Sequence, residues 1–261
     1  MERDYCLVAI LMINRLASRV TILVAAILLI SSKVFAQNYI PPRTIDGQPD
    51  LQGIWQAVGT ANWNIQDHSA QVGMPAGQGV VVGNEIPYQS WAAEQRDENR
   101  ENRLRDDTEA NCKMVGVPRI TYMPYPFQIF QTSDQIVMIY EWVHTIRNIY
   151  MEGERLPGPI EWYMGDSRGH WEGDTLVVDV THFTGETWFD RAGNFHSPSL
   201  RVTERYTRTG PDHLLYEVTI DDPDVFTEPW QMSMPLYRRI EKNVRVLEFE
   251  CYALAEDDIA Q

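Results

Sequence analysis

Short segments of strand character, separated by turn residues, constrain the fold of this chain more than any other feature of its sequence. Turns such as Ser133-Asp134, Gly210-Pro211-Asp212 and Lys242-Asn243 space the segments closely and fairly evenly. Such spacing is typical of an antiparallel meander that closes into a barrel or sandwich. The predicted strands are Arg119–Pro124, Phe127–Thr132, Gln135–Val143, Thr145–Met151, Glu161–Met164, Asp174–Phe183, Leu200–Thr207, Leu214–Asp221, Trp230–Arg239 and Arg245–Cys251. We therefore predict an all-β, mainly antiparallel barrel or barrel-like sandwich.

One clear helix interrupts this pattern. The segment from Pro87 to Asp106 has proline at its start, few apolar positions and Glu101 placed four residues before Arg105. The chain shows no alternation of strands and helices, no Walker loop and no G-x-G-x-x-G motif, which disfavours a nucleotide-binding α/β fold. We expect a single barrel-like domain over residues 37–261, with a helical insertion at about residues 87–106.

Residues 1–36 have the pattern of a secretory signal peptide. Arg15 and Arg19 precede an apolar run from Val20 to Ile30, and small residues then lead to Val34-Phe35-Ala36. The run is shorter than the roughly 20 apolar residues that a membrane span needs. We expect cleavage near this point, a periplasmic or secreted protein and no stable membrane span after processing. An uncleaved N-terminal anchor is the alternative.

The chain is strongly acidic, with a formal net charge of -15. The leader carries four basic and two acidic side chains, so its removal changes the net charge from -15 to -17. Such a surface repels phosphate backbones and anionic lipid, so we expect no nucleic-acid partner. The expected partner is a small-molecule ligand or substrate, and the sequence does not indicate an oligomeric state.

Two cysteines, Cys112 and Cys251, remain once Cys6 leaves with the leader. In an oxidising compartment this pair favours a disulfide. The bridge would close a long loop and contribute about 4–5 kcal/mol in the chain-entropy model. It would connect the segment before the first long strands to the last predicted strand. Two free, buried thiols are the alternative.

The stretch from Gly165 to Ser197 concentrates the groups that could carry chemistry. It predicts a turn at Gly165–Gly169, and then a strand on which His182 follows the inward apolar row. The loop after this strand holds Trp188, Phe189, Asp190, Arg191 and His196. We therefore expect the site near this strand and loop.

Strand alternation adds two more candidates. His144 ends a row that also contains Tyr140 and Trp142, and this row predicts one wall of a cavity. Glu204 falls next to Tyr206 on the apolar face of its strand. A carboxyl group at such a position must be paired or have a raised pKa, because burying an unpaired charge is costly.

These residues support two functional hypotheses. The first is an exported, cofactor-independent lyase, isomerase or hydrolase that acts on a small apolar or ring-bearing molecule by acid–base chemistry. Its predicted catalytic residues are His182, His196, Asp190, His144 and Glu204, and its predicted substrate contacts are Tyr140, Trp142, Trp188, Tyr206 and Arg191. The second hypothesis is a non-catalytic small-ligand-binding protein. For each residue the competing interpretation is a hydrogen bond inside an aromatic core.

We predict no metal and no cofactor. The chain has no H-E-x-x-H motif, no H-x-H motif and no Cys/His cluster. A metal site built from the three candidate histidines with Glu204 or Asp190 stays open as an alternative. A glycosidase pair drawn from Glu204, Asp190 and Glu141 also stays open, since its test is a distance between carboxyl groups.

Six segments of the chain resemble an uncharacterised family of exported bacterial proteins. The segments are PDLQGIW, PRITYMPYPFQI, YEWVHT, GDSRGHWEGDTLVVDVTHF, TWFDRAGNFHS and PWQMSMPLYR. This resemblance covers most of the mature chain. It implies export and a β-rich fold and supplies no catalytic residue.

A separate, shorter motif resembles lipocalin-like proteins. Gly53-Ile54-Trp55 matches the G-x-W that opens the first barrel strand in that family. There, a late arginine packs its guanidinium over the tryptophan and closes one end of the barrel. The resemblance implies a lipocalin-like barrel with Arg245 in that role and Arg239 as the second choice.

Overall fold

Nine strands form a closed barrel in the computed structural model, which describes residues 39–252. The strands follow one another around the barrel in chain order, and β9 pairs with β1. They are β1 (Gly53–Ala57), β2 (Phe127–Gln131), β3 (Gln135–Tyr140), β4 (Ile146–Tyr150), β5 (Asp166–Glu172), β6 (Thr175–Thr181), β7 (Arg201–Gly210), β8 (His213–Asp221) and β9 (Trp230–Arg238). The predicted all-β barrel is confirmed, whereas the predicted signal peptide lies outside the described residues.

The odd number of strands creates one weak seam in the barrel. Strands that alternate in direction cannot close a ring of nine without one parallel pair, and that pair is β4–β5. The two strands share only the pairs Ile149↔Ser167 and Tyr150↔Arg168. Every other neighbouring pair is antiparallel. Residues 151–165 form the crossover that a parallel pair requires.

Side chains fill the interior of the barrel. Alternate residues of each strand face inward, as along β8, where burial alternates from Leu214 to Ile220. Trp55, Phe127, Tyr140, Tyr206 and Tyr216 are among the largest fully buried side chains. We expected the tyrosines at 140 and 206 to line a ligand cavity, and both instead pack within this core.

The predicted helical insertion is confirmed. It consists of α1 (Ser90–Glu101) and α2 (Arg103–Asp106). Helix α1 packs on the loop after β6 at Gly193, where the Asn99 amide donates a hydrogen bond to the carbonyl oxygen at 3.2 Å. A side chain at position 193 would collide with the helix backbone, so this contact needs glycine. No helix within residues 39–252 is long and apolar enough to cross a membrane.

Two predictions next to the seam are wrong. The segment Gly165–Gly169 was predicted as a turn, and most of it belongs to β5. Gly169 is a strand glycine, since a Cβ atom there would lie 2.8 Å from the side chains of Ile149 and Met151. The segment Glu161–Met164 was predicted as a strand and lies in the crossover instead.

Two further predicted strands are also absent. Arg119–Pro124 instead contains the 3₁₀ helix Arg119–Tyr122, whose four side chains are all buried, so no inward and outward faces alternate. Arg245–Cys251 forms no named strand, and its apolar Leu247 is 58% exposed. Contacts other than a strand ladder therefore hold residues 245–251 in place.

The predicted disulfide between Cys112 and Cys251 is confirmed, and it joins positions 139 residues apart. It connects the segment after α2 to the strand-free C-terminal segment. Phe249 in that segment packs on the rings of Tyr125 and Trp142, with centroids 4.5 Å and 5.5 Å away. The bridge and this ring cluster fix the C-terminal segment against the barrel.

The expected cation–π contact on Trp55 involves different arginines from those predicted. The guanidinium carbons of Arg238 and Arg208 lie 5.7 Å and 5.9 Å from its ring centroid. The assignment to Arg245, with Arg239 second, is therefore wrong. Strand β9 ends at residue 238, which is paired with Trp55 across the β1–β9 closure.

Candidate functional site

The parallel seam opens into a groove of about 600 Å³, which we call the β4–β5 groove. Outward residues of β4, such as Ile146 and Asn148, line it together with the inward residues Arg147 and Ser167. Because residues of both faces line the same space, the groove enters the barrel wall where the two strands diverge. Its volume lies within the range of small-molecule sites.

The walls of the groove are mainly apolar and aromatic. Their apolar and aromatic members are Met114, Ile146, Tyr150, Leu156, Trp162, Tyr163 and Met164. Several of these side chains belong to the crossover that connects the parallel strands β4 and β5. The parallel pairing therefore accounts both for the opening in the barrel and for part of the wall of the groove.

An arginine and a hydroxyl group lie at the inner end of the groove. The Arg147 side chain is 2% exposed, and its Nε donates to Ser167 Oγ at 3.0 Å. Its guanidinium also forms a two-fold ion pair with Glu204, in which Nη1 lies 3.1 Å from Oε1. Burial opposes the charge on Arg147, but attraction to Glu204 outweighs it and raises the pKa of the guanidinium.

Two phenols complete this buried network. The hydroxyl groups of Tyr206 and Tyr216 donate to Glu204 Oε1 at 2.9 Å and 2.6 Å. Burial first and the nearby carboxylate second raise the pKa of both phenols, so they remain hydrogen-bond donors. Glu204 was predicted to be buried and either paired or raised in pKa; the structure shows it buried and paired. Its carboxylate is fully engaged inside the barrel.

A second ionic group surrounds the mouth of the groove. Arg155 in the crossover donates to the backbone oxygen of Asp179 at 2.9 Å and lies 3.3 Å from the Asp166 carboxylate. Arg168 lies 3.3 Å from the same carboxylate and stacks over the ring of Tyr150, with its guanidinium carbon 5.0 Å from the centroid. Arg155 thereby fastens the crossover to β5 and β6, and the contact between Arg168 and Tyr150 connects β5 to β4.

Asp190 lies fully buried at one end of the barrel and serves the loop that contains it. Its carboxylate accepts hydrogen bonds from the backbone of Ile65, Ala192 and Asn194 and from the Asn194 side-chain amide. Burial outweighs these bonds and raises the pKa of Asp190 to about 6. With four donors around it, the carboxylate holds two loops together.

His196 belongs to the same loop and is 2% exposed. Its Nε2 lies 2.7 Å from Thr187 Oγ1, and its Nδ1 lies 2.9 Å from the backbone oxygen of Ser197. Its ring packs on Phe183 and Phe189. Burial lowers the pKa of His196, which favours the neutral ring that these two bonds accommodate.

The other two predicted catalytic histidines lie outside the inward rows. Their backbones are left-handed, with φ of 52° at His144 and 66° at His182, so strand alternation ends before each residue. His144 is exposed and pairs with Glu250 at 3.1 Å. His182 lines a second groove of about 500 Å³ and packs on Trp162, with ring centroids 6.1 Å apart.

The structure therefore does not bring the five predicted catalytic residues together. Within residues 39–252, none of them lines the β4–β5 groove and no hydrogen bond joins any two of them. One trio of potential metal ligands in this range lies close together on the surface, namely His144, Glu248 and Glu250. The alternative metal site of His144, His182 and His196 is not assembled.

The predicted substrate contacts also separate. Tyr140 and Tyr206 are core residues, and Trp188 is buried in the loop after β6, where it bridges to Phe195. Trp142 and Arg191 line a smaller pocket of about 320 Å³ beside Cys251. There Arg191 is bound to Glu109 and stacked over Trp63, 4.1 Å from the ring centroid.

Sequence reasoning missed the residues of the β4–β5 groove. Arg147 had only a weak signal: it shares one face of β4 with Ile149, but the opposite face carries Ile146 and Tyr150, so alternation alone does not show which face is inward. An inward cation and the inward carboxyl of Glu204 are expected to pair, because burying either charge alone is costly. Ser167 had no such signal, because its segment was taken for a turn.

Searches among protein-family models, curated proteins and solved structures found no match to this chain. The fold and the geometry of the grooves therefore provide the evidence on function.

Proposed function

We propose that this protein is an exported binding protein that holds a small, mainly apolar, ring-bearing molecule in the β4–β5 groove. One observation carries the proposal: a groove with aromatic walls enters the barrel at its weakest seam and ends at a buried arginine and serine. Ligand sites are typically concave and mostly apolar with a few fixed polar groups. The groove has all three properties.

Binding accounts for this site better than the acid–base catalysis that the sequence favoured. General acid–base chemistry needs a titratable group within hydrogen-bond reach of the substrate. Asp190 and His196 are enclosed by their own hydrogen bonds, and Glu204 is occupied by Arg147 and two tyrosines. Glu204 stabilises the barrel beside the groove, whereas Asp190 and His196 stabilise the loop that contains them.

Export rests on the leader pattern and on the disulfide. A bridge between Cys112 and Cys251 is typical of an oxidising compartment. The resemblance to exported bacterial proteins agrees with this proposal. The intact mass of protein purified from the periplasm tests it: loss of residues 1–36 is expected, and a full-length mass in the membrane fraction would indicate an anchor instead.

The fluorescent probe N-phenyl-1-naphthylamine tests binding, because its emission rises in an apolar site. We expect saturable binding to the wild-type protein and a loss of about tenfold or more in Ile146→Trp, whose larger side chain blocks the groove. Ile240→Trp is the matched control, since Ile240 is 72% exposed and does not line the groove. Equal binding by both variants would exclude this groove as the site.

A second candidate function rests on His182. It lines the second groove, and it packs on Trp162, which forms part of the wall of the first. A ligand that spans both grooves would place a titratable ring beside it. An enzyme of this kind should lose turnover in His182→Ala while keeping probe affinity, whereas a carrier should show no turnover in either protein.

A further inference from the structure

The Ser167 hydroxyl has a proton that the protein does not use. Its oxygen accepts the Arg147 Nε–H at 3.0 Å, which is the one hydrogen bond this side chain makes within the described part of the chain. Residue Ser167 is 2% exposed and lines the β4–β5 groove, so an acceptor for this hydrogen would come from the groove, as water or as part of a bound molecule. A buried donor without an acceptor is costly, and such groups call for an explanation.

The surrounding network excludes one direction for that proton. Arg147 can only donate, and its guanidinium is held by both oxygens of Glu204. Ser167 must therefore be the acceptor towards the arginine, and its own hydrogen points elsewhere. Both residues line the β4–β5 groove, where a bound molecule would meet this hydrogen.

We propose that Ser167 donates a hydrogen bond to an uncharged oxygen acceptor, such as a ketone or ester carbonyl, on the ring-bearing ligand of the β4–β5 groove. This inference rests on the proposed binding function and specifies the ligand class. An aromatic or alicyclic ketone has the required parts, since its ring meets the apolar walls and its carbonyl meets the serine.

The charges around the groove favour a neutral acceptor over an anion. Arg147 is already neutralised by Glu204, and both Arg155 and Arg168 face Asp166. Glu161 also lines the groove and adds a further carboxylate. The arginines at 147, 155 and 168 are thus matched in number by Glu204, Asp166 and Glu161, so a ligand carboxylate would add an excess negative charge, and burying such a charge is costly.

The test compares two probes in two proteins. The probes are 2-acetylnaphthalene and 2-ethylnaphthalene, which differ in the carbonyl oxygen, and both are measured by displacement of N-phenyl-1-naphthylamine. In Ser167→Ala, affinity for the ketone should fall about threefold to tenfold, the value of one net hydrogen bond, while affinity for the hydrocarbon changes by less than about twofold. Ser233→Ala on the outer face of β9 should change neither affinity.

Other outcomes separate this inference from the binding function. An equal change in both probes, or 2-naphthoate binding more tightly than the ketone, would overturn the neutral-acceptor inference and leave binding intact. Failure of the reporter itself to bind the wild-type protein would overturn both proposals. Ser167→Cys keeps the side-chain shape with a weaker donor, so it should lie between serine and alanine for the ketone alone.

Discussion

Two buried arginines hold this barrel together in different ways. Arg119, at the end of the barrel that the loops cover, donates from Nε to Asn62 at 2.9 Å and from Nη1 and Nη2 to both oxygens of Asp107 at 2.7 Å and 3.0 Å. It also reaches Glu109, which Arg191 binds in turn. This network joins several loop segments, and its charged groups all have partners.

The network of Arg147 is built on strands and is open on one side. It joins β4 to β7 through Glu204 and to β5 through Ser167, beside the weakest seam of the barrel. Its serine retains one unused proton next to a groove. The comparison shows that a buried cluster whose charged groups are all paired supports structure, whereas a spare hydroxyl donor beside a groove can serve a ligand.

Disrupting the network around Arg119 should have the largest effect on stability. Arg119→Met leaves Asp107 buried without its cation and leaves Glu109 with Arg191 alone, which should cost about 3–5 kcal/mol of unfolding free energy in urea titrations. Arg105→Met, which removes an exposed pair with Asp106, is the control and should leave the urea midpoint unchanged. Equal midpoints for the two variants would contradict a structural role for Arg119.

The disulfide between Cys112 and Cys251, which lies near the Arg119 network, should have the next largest effect. Replacing Cys112 and Cys251 together with alanine should lower the unfolding free energy by about 2–5 kcal/mol, because the bridge restricts the unfolded chain over a separation of 139 residues. Reduction of the wild-type protein should shift the midpoint by a similar amount. Met114, two residues after Cys112, lines the β4–β5 groove, so a fall in probe affinity in this variant would show that the bridge also holds this wall in place.

The barrel was predictable from sequence because strand alternation and turn spacing are local properties. The seam was not. The odd number of strands requires a parallel pair, and its position depends on which connection is the crossover; the segment Gly165–Gly169 has turn-forming residues but pairs as a strand. Gly169 is needed there for close approach to Ile149, and sequence alone does not show which neighbour a glycine approaches.

The same limit applies to the site. Alternation placed Glu204 inside correctly, but its partner Arg147 lies on a strand that is not its neighbour, and only the closed barrel brings them together. Alternation failed for His144 and His182, since a left-handed backbone at each residue ends the strand row. The pattern of side chains in a sequence does not predict a left-handed backbone at a residue other than glycine.

The pH dependence of stability tests the role of Asp190 at the end of the barrel that the loops cover. Its folded pKa of about 6 is above its ordinary value of 3.8, so its contribution to stability is fully present below about pH 4 and is lost as pH rises through 6. Between pH 4 and 7, the wild-type protein should lose about 1–3 kcal/mol relative to Asp190→Asn. A constant difference between the two proteins would show that the carboxyl titrates normally.

The smallest change in stability should come from single substitutions of the two phenols in the Arg147 network. Tyr206 and Tyr216 face each other across β7 and β8 and donate to the same oxygen of Glu204. Each change to phenylalanine should cost about 1–2 kcal/mol, because it removes one hydrogen bond to a charged acceptor while the other phenol remains. The double variant should cost about 0.5–1 kcal/mol more than the sum, since the oxygen then keeps only Arg147. Tyr237→Phe at the surface is the control and should leave the unfolding free energy unchanged. If the double variant loses only the sum of the two single losses in unfolding free energy, the two phenols do not compensate for each other at this carboxylate.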